Sequence, residues 1–167
     1  KLAAHDTAGL LASLRTREVR PGDAMLVPAG LPHTVQEGVF VLELQEPTDL
    51  SILLEWQDFA VDGDRDGHLD LGFDVALQAV DTSAVSDADL DRLVVRREDI
   101  EHAGLTSALP AEADSYFRAQ HIDTSAGPVA VDAGFSVTVV LDGAGTITSG
   151  HGTHPVAKGD VLLMPYA

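Results

Sequence analysis

A histidine held at the end of a stiff turn is the residue in this chain best placed to do chemistry. His33 closes the run Pro21-Gly22-Asp23-Ala24-Met25-Leu26-Val27-Pro28-Ala29-Gly30-Leu31-Pro32-His33. Gly22 can take a positive φ at a strand entrance, and Pro21 sets the turn before it. Ala24 to Val27 is an apolar run of strand length that Pro28-Ala29-Gly30 stops. Pro32 fixes the backbone just ahead of the imidazole, so His33 is presented from an ordered site, as a metal ligand must be. The second candidate is Glu43, which shares one face of an expected strand with Val39 and Val41. Burial among apolar neighbours favours the protonated form of a carboxylate, which suits proton transfer near neutral pH. The plainer readings are a turn histidine satisfied by a backbone bond and a rim carboxylate that is exposed or paired with arginine.

The spacing from Gly22 through Pro28 and Gly30 to His33 matches the second sequence motif of the cupin family in full. The wording GDAMLVPAGLPHTV followed by GVFVLELQEPTDL more closely resembles class I mannose-6-phosphate isomerases, most clearly from Glu18 to Asp49. That resemblance implies a mainly β protein, a bicupin of two jelly-roll barrels with a few short helices. It implies one Zn2+ per full-length chain, with His33 as one of four ligands. The others, a Gln-x-His pair and a Glu, are expected before Lys1. It also implies a catalytic role for Glu43 in interconverting mannose 6-phosphate and fructose 6-phosphate, and a structural role for Asp49. The chain departs from the family at one informative place: the active-site Arg expected ten residues after Glu43 is Leu53. An apolar Leu cannot hydrogen-bond a phosphate or an enediolate. A non-catalytic sugar-binding cupin, or an isomerase of a different or unphosphorylated sugar, is therefore the alternative.

Composition bounds the rest. At 167 residues the chain holds one full domain or two small ones. It has no apolar run of membrane-spanning length and no basic-then-apolar leader at its start, so a cytoplasmic location with no membrane partner is expected. Cysteine is absent, so any metal must be held by His, carboxylate or amide oxygen. A net charge of −17 argues against nucleic acid and anionic membranes. The resemblance implies a small-molecule sugar or sugar phosphate as the partner, and a homodimer is the expected assembly. The same charge disfavours anionic ligands unless local Lys or Arg override it.

The elements needed to position these residues follow from pattern. Thr7 to Thr16 reads as a helix capped by Asp6 or Thr7, and Glu18 to Arg20 as a short strand. Val39 to Gln45 and Leu50 to Trp56 read as strands separated by Pro47. The segment 62–67 reads as an acidic surface loop, lacking the closing Glu of a calcium loop. Leu71 to Val80 reads as a helix, and Ser86 caps another that ends near Leu93. Beyond Val94 the strand candidates are 116–122, 129–132, 135–141, 145–148 and 161–164, with Asp142-Gly143 as a hairpin turn.

Val19 to Pro28 also recurs as Val156 to Pro165, 137 residues later. Two copies of one strand entry imply two related barrels. The division is then 1–60 for the later part of a first, incomplete barrel, 61–93 for connecting helices, and 94–167 for a second, degenerate barrel cut short at its end. The remaining histidines are weak candidates. Gln120-His121 is adjacent rather than spaced as a ligand pair, and His151 and His154 stand in a glycine-rich turn. His102 and His121 read as surface or strand-end residues, while His68 could approach the mouth of the first barrel.

Overall fold

Gly22 and Asp23 make the turn on which the first unit is built. Gly22 sits at φ +92°, and the Asp23 carboxylate accepts the amide N–H of Arg20 at 3.0 Å while Asp23 N donates back to Arg20 O at 3.0 Å. The computed structural model describes residues 5–46, 50–100 and 103–166 and divides into two units, Lys1–Gly127 and Pro128–Ala167. The expectations for Asp49 and His102 lie outside the described residues.

In the first unit, helix α1 (Thr7–Leu11) is capped by Asp6, whose side chain accepts Gly9 N at 2.9 Å. Strand β1 (Ala24–Met25) leaves the Asp23 turn. Helices α2 (Gly63–Asp66), α3 (Phe73–Ala76, continued as a 3-10 turn to Ala79) and α4 (Asp87–Arg92) follow. Strand β2 (Val94–Val95) then pairs antiparallel with β1, Ala24 opposite Val95. Strands β3 (Gly104–Ser107) and β4 (Gln120–Asp123) form a second antiparallel pair. The buried apolar side chains are Leu26, Ala76, Leu90, Ile100 and Ala113, all in this unit.

Charge pins the pieces of the first unit together. Arg15 and Arg17 both reach the Asp87 carboxylate, at 2.6 and 2.8 Å, from the segment ahead of β1 to the start of α4. Asp23 is the centre of the arrangement, with its side chain only 5% exposed. It accepts Arg97 N at 2.9 Å and the Arg96 guanidinium at 2.7 Å in addition to Arg20 N. Arg96 also donates to Glu18 O at 3.0 Å, closing the loop across β1 and β2.

The second unit repeats the turn. Gly159 sits at φ +91°, Asp160 accepts Ala157 N at 2.8 Å, and Asp160 N donates to Ala157 O at 3.0 Å. The internal repeat is thus a repeat of backbone geometry, bond for bond. Strand β8 (Val161–Met164) leaves this turn and pairs with β5 (Ser136–Val139), Val137 opposite Leu163. Between them β6 (Ala144–Ser149) and β7 (Gly152–Ala157) form a hairpin closed by Gly150-His151. Asp142-Gly143 therefore connects β5 to β6 without pairing them, correcting its reading as a hairpin turn. Gly143 does take a positive φ, +77°.

Among the described residues the strands form four two-stranded antiparallel sheets and close no barrel. The strand expected over Ala24–Val27 is cut to two residues, though Leu26 N still donates to Leu93 O at 2.8 Å. Expected strands at 18–20, 39–45, 50–56 and 129–132 do not form among the described residues, where no ladder of strand pairing includes them. The expected strand 116–122 begins only at Gln120, since Tyr116 ends a 3-10 turn. The helix expected to Thr16 stops at Leu11 with loose turns beyond. The acidic segment 62–67 is no plain loop. Asp62 accepts Arg65 N, Asp64 and Asp66 sit in the first turn, and one helical turn forms. Ser86 caps α4 as expected, accepting Asp89 N at 3.1 Å.

Replacing Asp23 with Ala is expected to destabilise the first unit by about 3 kcal/mol, because the Arg96 cation and the Arg97 amide lose their acceptor. Asp160→Ala, which loses a single amide bond, is expected to cost about 1 kcal/mol. Urea unfolding of both variants checks the difference. The amide of Arg97, then the Arg96 and Arg20 donors, hold the Asp23 carboxyl below its ordinary value of 3.8 against the opposing effect of burial. A depressed folded-state pKa stabilises above the unfolded value and loses that contribution as pH falls below it. Wild-type stability is therefore expected to drop below about pH 4 more steeply than that of Asp23→Asn.

Candidate functional site

His33 follows a turn whose geometry is set by Gly30. Leu31 N donates to Pro28 O at 3.1 Å and Gly30 sits at φ +83° in the third position, the arrangement of a type II turn. Gly30 O accepts Asp81 N at 2.8 Å, tying the turn to the segment after α3. A Cβ at Gly30 would lie 2.7 Å from Ala79 O, so the position is closed to side chains by space as well as by φ. The exposed His33 ring places Nδ1 2.9 Å from Leu31 O. A carbonyl only accepts, so Nδ1 carries the proton in this contact and Nε2 keeps its lone pair. That is the tautomer a metal-ligating histidine adopts when a backbone carbonyl orients it.

The other donors expected around a metal are not gathered here. No cluster of three His, Asp or Glu side chains is found among the described residues. Among the described residues His33 stands without the companions that a zinc site needs.

Glu43 is exposed and lies outside any strand, so the expected burial of its carboxylate on a strand face is not observed. The alternation that suggested the face survives in part. Val39 and Val41 are 40% and 49% exposed, against 96% and 68% for Phe40 and Leu42. Leu53 is anchored through its backbone, Leu53 N donating to Gly67 O at 2.9 Å.

Next to Leu53 the structure assembles a group that the sequence pattern did not single out. Trp56 stacks on Phe73 with ring centres 5.9 Å apart and planes 8° from parallel, and His5 meets Trp56 edge-on at 5.4 Å. Gly63 packs its backbone against the indole, where a Cβ would fall 2.0 Å from the ring. Only a glycine at the start of α2 allows that approach. His68 meets Phe73 edge-on at 5.1 Å. Its Nδ1 accepts Gly72 N at 3.2 Å and its Nε2 lies 3.1 Å from Asp64 O, so it is spent tying α2 to α3. A cavity of about 150 Å³ opens beside His5, Glu55 and Trp56.

His121, read as a surface or strand-end residue, is the second residue of β4. It is half-buried on the inner face of the β3–β4 ribbon, directly opposite Thr106, and Nδ1 of the one and Oγ1 of the other are buried without a partner. The alternation is inverted there, with Thr106, His121 and Asp123 more sheltered than Leu105 and Ile122. His151 lies in the β6–β7 loop and His154 on β7 opposite Ile147, both exposed.

With the turn and its histidine placed, the likeness to known proteins has a structural setting: the chain is similar to a class of isomerases. That class is the mannose-6-phosphate isomerases. The chain is 28% identical to mannose-6-phosphate isomerase ManA of Bacillus subtilis (strain 168) over 155 residues, 92% of this chain. It is 27% identical to the putative mannose-6-phosphate isomerase YvyI of the same organism over 153 residues, 91% of this chain. The chain spans about half the length of both relatives, 46% in each case. No family model matches, and no solved structure matches. Among the described residues no helix is long and apolar enough to cross a membrane.

Gly30→Ala is expected to destabilise the first unit by about 1–3 kcal/mol, from the forced positive φ and the collision with Ala79 O. Hydrogen exchange at Asp81, whose amide bonds Gly30 O, should speed up ahead of that at the α4 amides.

Proposed function

We propose that this chain is part of a zinc-dependent aldose–ketose isomerase acting on mannose 6-phosphate and fructose 6-phosphate, a cytoplasmic enzyme of carbohydrate metabolism built on the cupin fold. The observation that carries the reading is the likeness to two mannose-6-phosphate isomerases over nine-tenths of the chain. The oriented His33 supports it, because its Nε2 is left as a free donor while Nδ1 is held by Leu31 O. In this reading His33 supplies one ligand to zinc, with the remaining ligands outside this chain. The bound metal would polarise the substrate's carbonyl oxygen. Glu43 moves the proton between the adjacent carbons, a task its exposed position leaves open to substrate. The repeated Gly-Asp turn supports a two-barrel plan, in which the β5–β8 ladder forms part of the second wall.

One observation favours a second reading, that the protein handles an unphosphorylated sugar or binds sugar without turnover. Leu53 stands where the family carries an arginine, and it brings no charge to the site.

The test is isomerisation of mannose 6-phosphate by the whole protein that contains this chain, with zinc content measured alongside. His33→Ala is expected to lose bound zinc and activity together. Glu43→Gln is expected to keep zinc and lower turnover by about 10²–10⁴-fold. Zinc content unchanged in His33→Ala would remove that residue from the ligand set. Leu53→Arg that tightens phosphosugar binding would place Leu53 at the phosphate-handling position, whereas no gain would favour the second reading.

A further inference from the structure

The cavity beside Trp56 belongs to neither His33 nor Glu43, and its walls are unusual in what they combine. Leu10 and Leu54 give it an apolar side, and the indole of Trp56 forms part of the wall. Its polar groups are the His5 imidazole, the Thr7 hydroxyl, the Glu55 carboxylate and Gln57. Glu55 is half-buried, and both of its protein donors, Thr7 Oγ1 at 3.3 Å and the Gln57 amide, go to Oε1. Oε2 is left without a donor among the described residues. Among the described residues no Lys or Arg lines the cavity, and Asp64, 3.6 Å from His5 Nε2, adds a second negative charge nearby.

Two features point to a binding site rather than a packing fault. His5 holds φ +48°, a left-handed conformation that a non-glycine residue rarely adopts, and it is kept there while its ring meets Trp56. The indole itself is braced by Phe73 and by Gly63, so the wall it contributes is rigid before any ligand arrives. Such preorganisation lowers the ordering cost of binding. At about 150 Å³ the cavity is smaller than the ~300 Å³ of drug-sized sites, a size suited to a single small ring.

We infer that this cavity is a binding subsite for a small neutral polyhydroxylated ligand of monosaccharide size, with Glu55 Oε2 accepting its hydroxyls and Trp56 and Leu54 covering its C–H surface. A carboxylate with a free oxygen takes hydroxyl donors, and an apolar wall suits the C–H face of a sugar. Among the described residues a phosphate meets two carboxylates and no Lys or Arg here, so charged sugars are disfavoured. The site is separate from His33 and its metal chemistry. It goes beyond the isomerase reading, and either can fail without the other.

Trp56 is the single tryptophan of the chain, so its emission reports on this cavity alone. Titrating the 167-residue chain with mannose is expected to give a saturable change in that emission, with a dissociation constant on the order of 1 mM. Mannose 6-phosphate should bind at least about tenfold more weakly. Glu55→Gln, checked for unchanged far-ultraviolet circular dichroism, should weaken mannose binding by about tenfold or more. If that variant misfolds, Thr7→Val, which removes a hydroxyl of the rim, should weaken binding in the same direction. His151→Ala in the second unit should leave the titration unchanged. A linear, unsaturable response to mannose overturns the inference, as does tighter binding of the phosphate or a Glu55→Gln titration identical to wild type. Each readout is independent of zinc content and turnover, so the result separates this site from the isomerase.

Discussion

The first unit depends on one buried carboxylate. Asp23 accepts two backbone amides and a guanidinium within a single turn, and those donors come from both sides of the β1–β2 pair. A two-residue ladder between Ala24–Met25 and Val94–Val95 is too short to hold itself in water. Asp23 makes it persist by satisfying the Arg97 amide just past β2 while Arg96 reaches back to Glu18 O. Leu26, one residue beyond the ladder, then becomes one of the few buried side chains.

The second copy shows what the turn does without that reinforcement. Gly159 and Asp160 reproduce the φ value and both bonds of Gly22 and Asp23, and β8 forms a longer ladder with β5. Yet no side chain of the second unit's described residues is buried, and Leu163, the counterpart of Leu26, is 63% exposed. Val137 and Leu163 face each other across the ladder on an open side. The turn specifies a strand entrance, while burial depends on what packs against the strand. Backbone geometry has persisted across the repeat where side-chain function differs.

How far the sequence could be read follows the same division between local and non-local causes. Asp6 and Ser86 as caps, the end of α4 near Leu93, the 161–164 strand and the paired Gly-Asp turns were all legible, since their determinants lie within a few residues. The strands drawn through Val39–Gln45 and Leu50–Trp56 failed because alternation is only half of a strand, and among the described residues no paired strand runs alongside them. Helix α2 was hidden in an acidic, glycine-rich string that composition assigns to loops, although Asp62 and the capping logic were there to be used. The cavity beside Trp56 had no sequence signature, because His5, Glu55 and Gly63 meet only through the fold. Of the candidate site, His33 was placed by spacing alone. Glu43 was singled out by alternation as well as by resemblance, Leu53 by resemblance, and the inner-face position of His121 was missed because its strand inverts the usual alternation.

Charge decides what kind of sugar these residues can handle unaided. Of the ten Lys and Arg in the chain, Arg15, Arg17, Arg20, Arg65, Arg92, Arg96 and Lys158 each stand within ion-pair distance of a carboxylate. Most of these pairs are exposed and individually weak, but they commit the cations to holding segments together. Against a net charge of −17, a phosphate approaching this surface meets a repulsive field with little local compensation. Leu53, next to the Trp56 group, brings no charge of its own. Recognition of a phosphate group therefore has to come from residues other than these. A neutral ligand meets no such field, and the cavity beside Trp56 offers it the Glu55 and Thr7 side chains as polar partners.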